Sequence, residues 1–497
     1  MSASQQKKLR QQQREQGTEK RQVAQKKEAK QVKKGKAIAA TVWTVLVVAV
    51  LAAVLFSSNL FYHTFPAVTI GDTSYNASEL SFIYKSTYFN FVNTYGDYLQ
   101  YMNLDTTKSL SSQAYSDTQT WADNFREQAI SSLTEITAMC AAADEEGFTL
   151  TDEQLANIDA EFETLKETAK SGGFSSVNAF LSANYGKGCN EKLVRSLIEK
   201  TTLADAYAAS KYDSFTYSDS ELDAHYDENK DKFDKFTYIS YKADGAANEE
   251  IGLDSETAMV AAKAVADLIV RDATTEEDFI ASISSHAQAE ASRSSTQGAN
   301  LDSAYSEWML DPSRKAGDMT VIEGTDGYYA LYFISRERND GKTVSARHIL
   351  TYALPDENGE YTDEAKAEAL KTSEDILAEW KAGDATEESF AALANEKSED
   401  TGSNTNGGLY ENFLEGRMVE EYDAWCFDPA RKPGDTGIVF NEDSNYCGYH
   451  VVYFVGTGVY DKVLAENDIR SADYTEWKTA ATEGYAATTG FTAKLVK

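Results

Sequence analysis

Three kinds of apolar spacing divide the chain. From Ala37 to Phe56 the run AIAATVWTVLVVAVLAAVLF carries no charged residue, and its length suits a helix that spans the hydrocarbon core of a bilayer. From Glu79 to about Lys211, apolar and aromatic residues recur three or four apart, as in FIYKSTYFNFVNTYGDYLQYM and AISSLTEITAMCAAADEEGF. That period predicts amphipathic helices. One start and stop stand out there: Thr151 predicts an N-cap, Glu153 lies in the first turn, and Gly172-Gly173 ends the helix. From Phe236 onward the period shortens to two in FTYISYKA, GYYALYFI, ARHILTYA and GYHVVYFV, which predicts strands. Helical segments such as DEAKAEALKTSEDILAEWKAG lie between them.

The strand-rich region repeats itself. WMLDPSRKAGD, from Trp308, returns as WCFDPARKPGD, from Trp425. Each phrase precedes a strand pair and follows a strand, helices and a further strand, so the chain is predicted to hold one compact α+β module of about a hundred residues twice. The Asp-Pro and Gly-Asp steps are turn chemistry, and the phrase is predicted to be the turn between a helix and a strand, with no catalytic duty. The expected architecture is therefore α+β and multidomain: a basic tail at 1–36, a transmembrane helix at 37–57, a helical domain at 58–215 on which 461–497 packs, and modules at 216–340 and 341–460.

Charge assigns these parts to compartments. The first 36 residues hold 12 Lys or Arg against 3 Glu, whereas the whole chain carries a net charge of -33. The remainder is thus strongly acidic, which argues against nucleic acid as a partner. A basic flank stays in the cytoplasm, so the expected topology is single-pass, with a cytoplasmic N-terminus and an extracytoplasmic bulk at the cell membrane. A cleaved signal peptide is the competing reading, disfavoured by the long basic region and the lack of a clear A-x-A site. No Cys directly follows the apolar run, so a lipid anchor is not indicated. Four cysteines, Cys140, Cys189, Cys426 and Cys447, fall two to a domain. An oxidising exterior permits Cys140–Cys189 and Cys426–Cys447 bridges, with free thiols as the alternative. Cofactor and metal motifs are lacking: no C-x-x-C, H-E-x-x-H or glycine-rich phosphate loop occurs.

The two modules part company at histidine. The second has His348 in its first strand and His450 in its last, where the first is expected to have Tyr238 and Tyr329. RHIL at Arg347, Ser398-Glu399-Asp400, GGLYENF, MVEEYDAWCF and GYHVVYF, in that order, resemble the parvulin family of peptidyl-prolyl isomerases, with the first module as a degenerate copy. The helical region, with EEGFTLTDEQL and SDSELDAHYDENKDKF, is similar to the chaperone domain of PrsA- and SurA-type secretion foldases. The resemblance implies cis/trans isomerisation of X-Pro bonds, no cofactor, and unfolded or newly secreted polypeptides as partners.

It also implies a site. Leu409, Met418, Tyr422 and Phe427 would form the substrate pocket, and His348, Asp400, Cys447 and His450 the catalytic polar set. Met418 and Tyr422, four apart, are expected to share a helix face. The acidic loop ALPDENGEYTDEA lacks the basic cluster that phosphate-directed relatives use. Read without the resemblance, two His and an Asp also suggest acid-base hydrolysis, but no G-x-S-x-G or Cys-His signature supplies a nucleophile. Two non-enzymatic alternatives remain, a holdase whose modules only bind or shape, and a cell-surface scaffold.

Overall fold

The structure, a computed structural model, describes residues 6–8, 10, 34, 40–51, 54, 59–247, 253–443 and 446–497. Most of the basic tail, and residues 37–39, 52–53 and 55–57 of the 37–57 span, lie outside the described residues. Residues 40–51 are helical, and no described helix is long and apolar enough to cross a membrane. The chain forms two compact units, Met1–Ser214 with Tyr474–Lys497, and Phe215–Asp473.

The first unit is mostly helical: α1 (Ala77–Tyr95), α2 (Trp121–Glu145), α3 (Asp152–Ser171), α4 (Val177–Tyr185) and α5 (Glu191–Ser214). Side-chain oxygens satisfy the free amides at the helix starts. Asn76 accepts from the Ser78 and Glu79 amides, and Thr151 Oγ1 accepts from the Gln154 amide at 3.2 Å while Gln154 reaches back to Thr151. Leu80, Tyr84, Phe125 and Leu133 form the buried seam of α1 and α2. A small sheet closes the unit, with β1 (Pro66–Ile70) between β2 (Thr73–Asn76) and the C-terminal strand Ala487–Thr489. Trp477 and Tyr485 pack with Met139 and Tyr207.

The second unit contains one topology twice. After α6 (Asp219–Glu228), the first module runs β3 (Lys235–Asp244), α7 (Ser255–Arg271), α8 (Glu276–Ala287), β4 (Ser294–Gln297), α9 (Ser306–Leu310), β5 (Met319–Gly324) and β6 (Gly327–Glu337). The second runs β7 (Lys342–Tyr352), α10 (Asp363–Ala382), α11 (Glu387–Lys397), β8 (Leu409–Leu414), α12 (Glu420–Cys426), β9 (Thr436–Glu442) and β10 (Cys447–Val459). The strand orders correspond, β4-β3-β6-β5 and β8-β7-β10-β9. A last helix, α13 (Tyr460–Thr482), follows. Its early residues Leu464, Ala465 and Ile469 pack with Leu222, Tyr226 and Phe233, so the 461–497 tail expected on the helical domain is divided between the units at Asp473.

The twin phrases make twin turns. Trp308 lies under Arg314 with the guanidinium 4.6 Å from the ring, and Trp425 under Arg431 at 4.2 Å. The Asp318 carbonyl accepts from the Phe333 amide and the Asp435 carbonyl from the Phe454 amide, each at 2.8 Å. These bonds fix the equivalence of the copies and correct one expectation. Phe333 pairs with Tyr238 and Phe454 with Ala346, so Tyr238 stands where Ala346 does, and Ser240 stands in place of His348. Tyr329 does occupy the place of His450. In the first module Tyr238, Tyr305 and Tyr329 fill this space, with the Tyr238 and Tyr305 hydroxyls 3.1 Å apart.

Of the two alternatives for the cysteines, the structure has the free thiols at all four positions. Cys426 is buried with Phe413, Tyr422 and Val452 on one face of the second sheet, whereas Cys447 is buried with Ala353 and Ala369 on the other. Strand alternation puts the sheet between them. Cys140 and Cys189 also lie in different clusters, donating to the carbonyls of Lys200 and Ser78.

Candidate active site

Alternation along β7 sorts the second module into two layers. Ile349 and Val451 pack on α10 and α11 with Ile376, Trp380 and Phe390. Val344, Ala346 and Val452 face the other way, onto Phe413, Tyr422 and Phe454. His348 and His450 share that second face, on neighbouring strands where His348 is opposite Val452 and His450 opposite Leu350. Gly408 makes room behind them. Its φ is +68°, a Cβ there would lie 2.1 Å from the His348 carbonyl oxygen, and its own carbonyl accepts from the His348 amide at 2.8 Å.

The two imidazoles form a continuous polar relay. His348 Nδ1 and His450 Nδ1 are 2.8 Å apart, His348 Nε2 is 2.8 Å from Asp400 Oδ2, and the Tyr446 hydroxyl is 2.9 Å from His450 Nε2. Asp400 Oδ2 also accepts from Ser403 Oγ at 2.5 Å and from the Tyr410 hydroxyl at 3.0 Å. An ionised carboxylate only accepts, so the His348 proton sits on Nε2. His348 Nδ1 is then the acceptor, His450 Nδ1–H donates to it, and His450 Nε2 accepts from Tyr446. Every nitrogen of the pair then has a partner.

Electrostatics agree with an ionised Asp400 and a neutral His450. The hydrogen bond from His348, with those from Ser403 and the Gly402 amide, holds the Asp400 carboxyl well below the usual carboxylate range against the opposing effect of burial. Burial, then the neighbouring His348, pushes His450 down from 6.5 to about 3. Burial, then Asp443, raises the Tyr446 phenol to about 12.

A cleft of about 200 Å³ opens over the relay, lined by His348, Leu350, Tyr352, Asp400, Tyr410, Met418, Val419, Tyr422, Tyr446 and His450. Tyr422 stands edge-on to both imidazoles, its ring centroid 5.8 Å from His348 and 5.4 Å from His450. Its hydroxyl is buried without a conventional hydrogen bond, against the Cys426 thiol, and burial lifts its pKa well above the usual phenol value.

Of the eight residues expected at the site, five meet at this cleft: His348, Asp400, His450, Met418 and Tyr422. Met418 arrives from a loop, not a helix face, because α12 begins at Glu420 with Val419 as its N-cap residue. Leu409 pairs with Arg347 and falls on the opposite face of the sheet, while Tyr410, one residue on, pairs with Ala346 and enters the cleft. Cys447 is one strand step out of phase with His450 and lies beneath the sheet. Phe427 packs behind Phe413 at a centroid distance of 5.8 Å and does not line the cleft. Sequence reading missed Leu350, Tyr352, Ser403, Tyr410, Val419 and Tyr446. Counting by twos from His348 reaches Leu350 and Tyr352, and counting back by twos from His450 reaches Tyr446; Ser403 carries no such signal.

Ser403 is not placed as a nucleophile. A nucleophilic serine needs a base on one imidazole nitrogen and an orienting carboxylate on the other, but Ser403 and Asp400 both meet His348 Nε2 and Ser403 donates to the carboxylate. At 1% exposure it does not reach a substrate.

Residues 329–456 match the PPIC-type PPIASE domain. The second module is a parvulin-type domain. Similar curated proteins include the foldase protein PrsA of Exiguobacterium sibiricum, 36% identical over 22% of this chain and 28% of its own length. Foldase protein PrsA 3 of Bacillus cereus is 42% identical over 13% of this chain and 21% of its own, and foldase protein PrsA 1 of Listeria innocua 35% identical over 22% and 30%. The chain thus matches less than a third of the length of each of these relatives. A crystal structure of PrsA from Bacillus subtilis aligns over 78% of this chain and 92% of its own at 15% identity and a TM-score of 0.27, too loose a superposition to argue from.

Proposed function

We propose that the protein is a membrane-anchored extracytoplasmic foldase that catalyses cis/trans isomerisation of X-Pro bonds and also binds unfolded chains. The observation that carries this reading is an apolar slot of Met418, Val419, Tyr422 and Leu350 beside a buried carboxylate–imidazole relay that offers no nucleophile. An X-Pro bond resists rotation, with a barrier of roughly 18–20 kcal/mol, because resonance keeps it planar. That resonance places negative charge on the carbonyl oxygen. The proline ring fills the slot, and the bond lies over Asp400, whose fixed negative charge disfavours the charge-separated planar form relative to the twisted one. Each 1.36 kcal/mol of that difference is worth about tenfold in rate. Tyr410, Ser403 and the two imidazoles hold the carboxylate ionised and aimed.

Anchoring rests on the uncharged run from Ala37 to Phe56 behind a basic flank, with newly secreted chains as clients. Chaperone binding rests on the helical unit, where Tyr98 and Tyr101 are 68% and 77% exposed and Tyr95, Met102 and Tyr115 are exposed as well. The first module, its site filled by tyrosines, is assigned a binding or structural part. The test is isomerisation of a proline peptide by the full chain. Acceleration that Met418→Ala reduces at least about tenfold supports the enzyme; no acceleration, with aggregation still suppressed, makes the protein a holdase.

A further inference from the structure

The floor of the cleft follows alternate residues of β7, from His348 through Leu350 to Tyr352. The proline slot occupies the His348 end, against Met418, Val419 and Tyr422. At the other end Tyr352 is 37% exposed, and its cross-strand partner is Gly448, so no side chain stands opposite it. The Tyr446 ring meets it at 81° with centroids 5.8 Å apart, leaving two aromatic faces set at a right angle. The exposed carboxylate of Glu399 accepts from the Tyr352 amide at 2.5 Å, and Asp443 accepts from the Tyr446 amide at 3.2 Å. After burial, Asp400 and Glu399 are what raise the Tyr352 phenol. No Lys or Arg lines the cleft among the described residues. Arg417, in the loop before Met418, belongs to the slot end and is surrounded in sequence by Glu415, Glu420 and Glu421.

Resting on the isomerase reading above, we infer that Tyr352, Tyr446 and Glu399 form a second subsite that selects a lysine or arginine immediately before the proline. The direction of the substrate follows from the cleft. With the proline ring on the Met418 side and the bond over the relay, the preceding residue leaves toward Tyr352. Four strand steps separate His348 from Tyr352, about 13 Å between Cα atoms at the usual rise; the Tyr446 ring bridges part of that distance, with its hydroxyl at His450, so a long side chain meets aromatic surface where a short one stops short. Two aromatic faces with a carboxylate beside them attract a cation through its charge and hold its aliphatic stem by packing. The same field repels a glutamate or a phosphoserine, and residues 341–460 reinforce it with 24 acidic against 9 basic residues.

The test uses the full chain and peptides that differ only before the proline, carrying Arg, Lys, Ala or Glu. At low salt (about 50 mM) kcat/KM for Arg-Pro and Lys-Pro is expected about fivefold above Ala-Pro, with Glu-Pro lowest, and the advantage shrinks at about 500 mM. Glu399→Gln retains an acceptor for the Tyr352 amide but not the charge, and Tyr352→Leu removes an aromatic face. Each is expected to bring the Arg-Pro to Ala-Pro ratio below about two. Equal rates for Arg-Pro and Ala-Pro, or a ratio that survives both substitutions, overturns the subsite and leaves the isomerase standing. Acceleration of none of the peptides overturns both.

Discussion

His450 offers a quantitative check on the relay. Both of its nitrogens are engaged, Nδ1 with His348 and Nε2 with Tyr446, and the residue is 4% exposed. Its folded-state pKa is depressed from 6.5 to about 3, so it stays neutral in the fold while the unfolded chain takes up a proton. The resulting stability is complete above about pH 6.5 and is lost progressively as pH falls from there toward 3. At 1.36 kcal/mol per pH unit, acidification from pH 7 to pH 5 removes about 2 kcal/mol through this residue alone. His450→Asn, which retains a donor near Nδ1 without a titrating ring, is expected to abolish that part of the loss. Because the chain has two compact units, the suitable readout is hydrogen exchange of the β10 amides, corrected for intrinsic rates, which follows the module itself. If the parent and His450→Asn lose the same stability between pH 7 and pH 5, a neutral His450 in the fold is refuted.

Three further outcomes follow from where side chains lie. Met418→Ala is expected to lower kcat/KM at least about tenfold, while Leu409→Ala and Cys447→Ala, on the opposite face, leave it within about twofold; a peptide assay on the three variants distinguishes the faces. Tyr422→Phe, which removes a buried hydroxyl lacking a conventional partner, is expected to leave denaturant stability unchanged or raise it by about 1 kcal/mol, and a loss of that size would contradict the geometry. With four free thiols, reducing agent is expected to leave Tm unchanged, and a downward shift in a thermal scan would indicate a bridge.

Period and repetition carried most of the fold. The change from three-or-four to two marks the passage from the helical unit to the sheets, and the doubled Trp-Asp-Pro phrase announces the duplicated topology. Sequence spacing failed where a one-residue phase decides which face a side chain takes. Leu409 and Tyr410 are neighbours, but only the cross-strand pairing of Tyr410 with Ala346 shows which enters the cleft. The same limit applies to Cys447, and to Tyr238, set two residues off its expected counterpart by the pairing with Phe333. Cysteine counting suggested bridges because it contains no information about the sheet that separates Cys426 from Cys447. Ser403 was illegible for another reason: its role comes from a loop that folds back onto Asp400 through two hydrogen-bonded turns.

Strand order has a consequence for when activity can exist. β10 is the last strand of its module in sequence, yet it occupies an inner position between β7 and β9, and it carries His450 while its leading edge carries Tyr446. A chain synthesised only as far as β9 therefore owns the greasy recess and the carboxylate but only half of the imidazole couple. On the proposed reading, catalysis waits for that last insertion, and turnover reports a completed module.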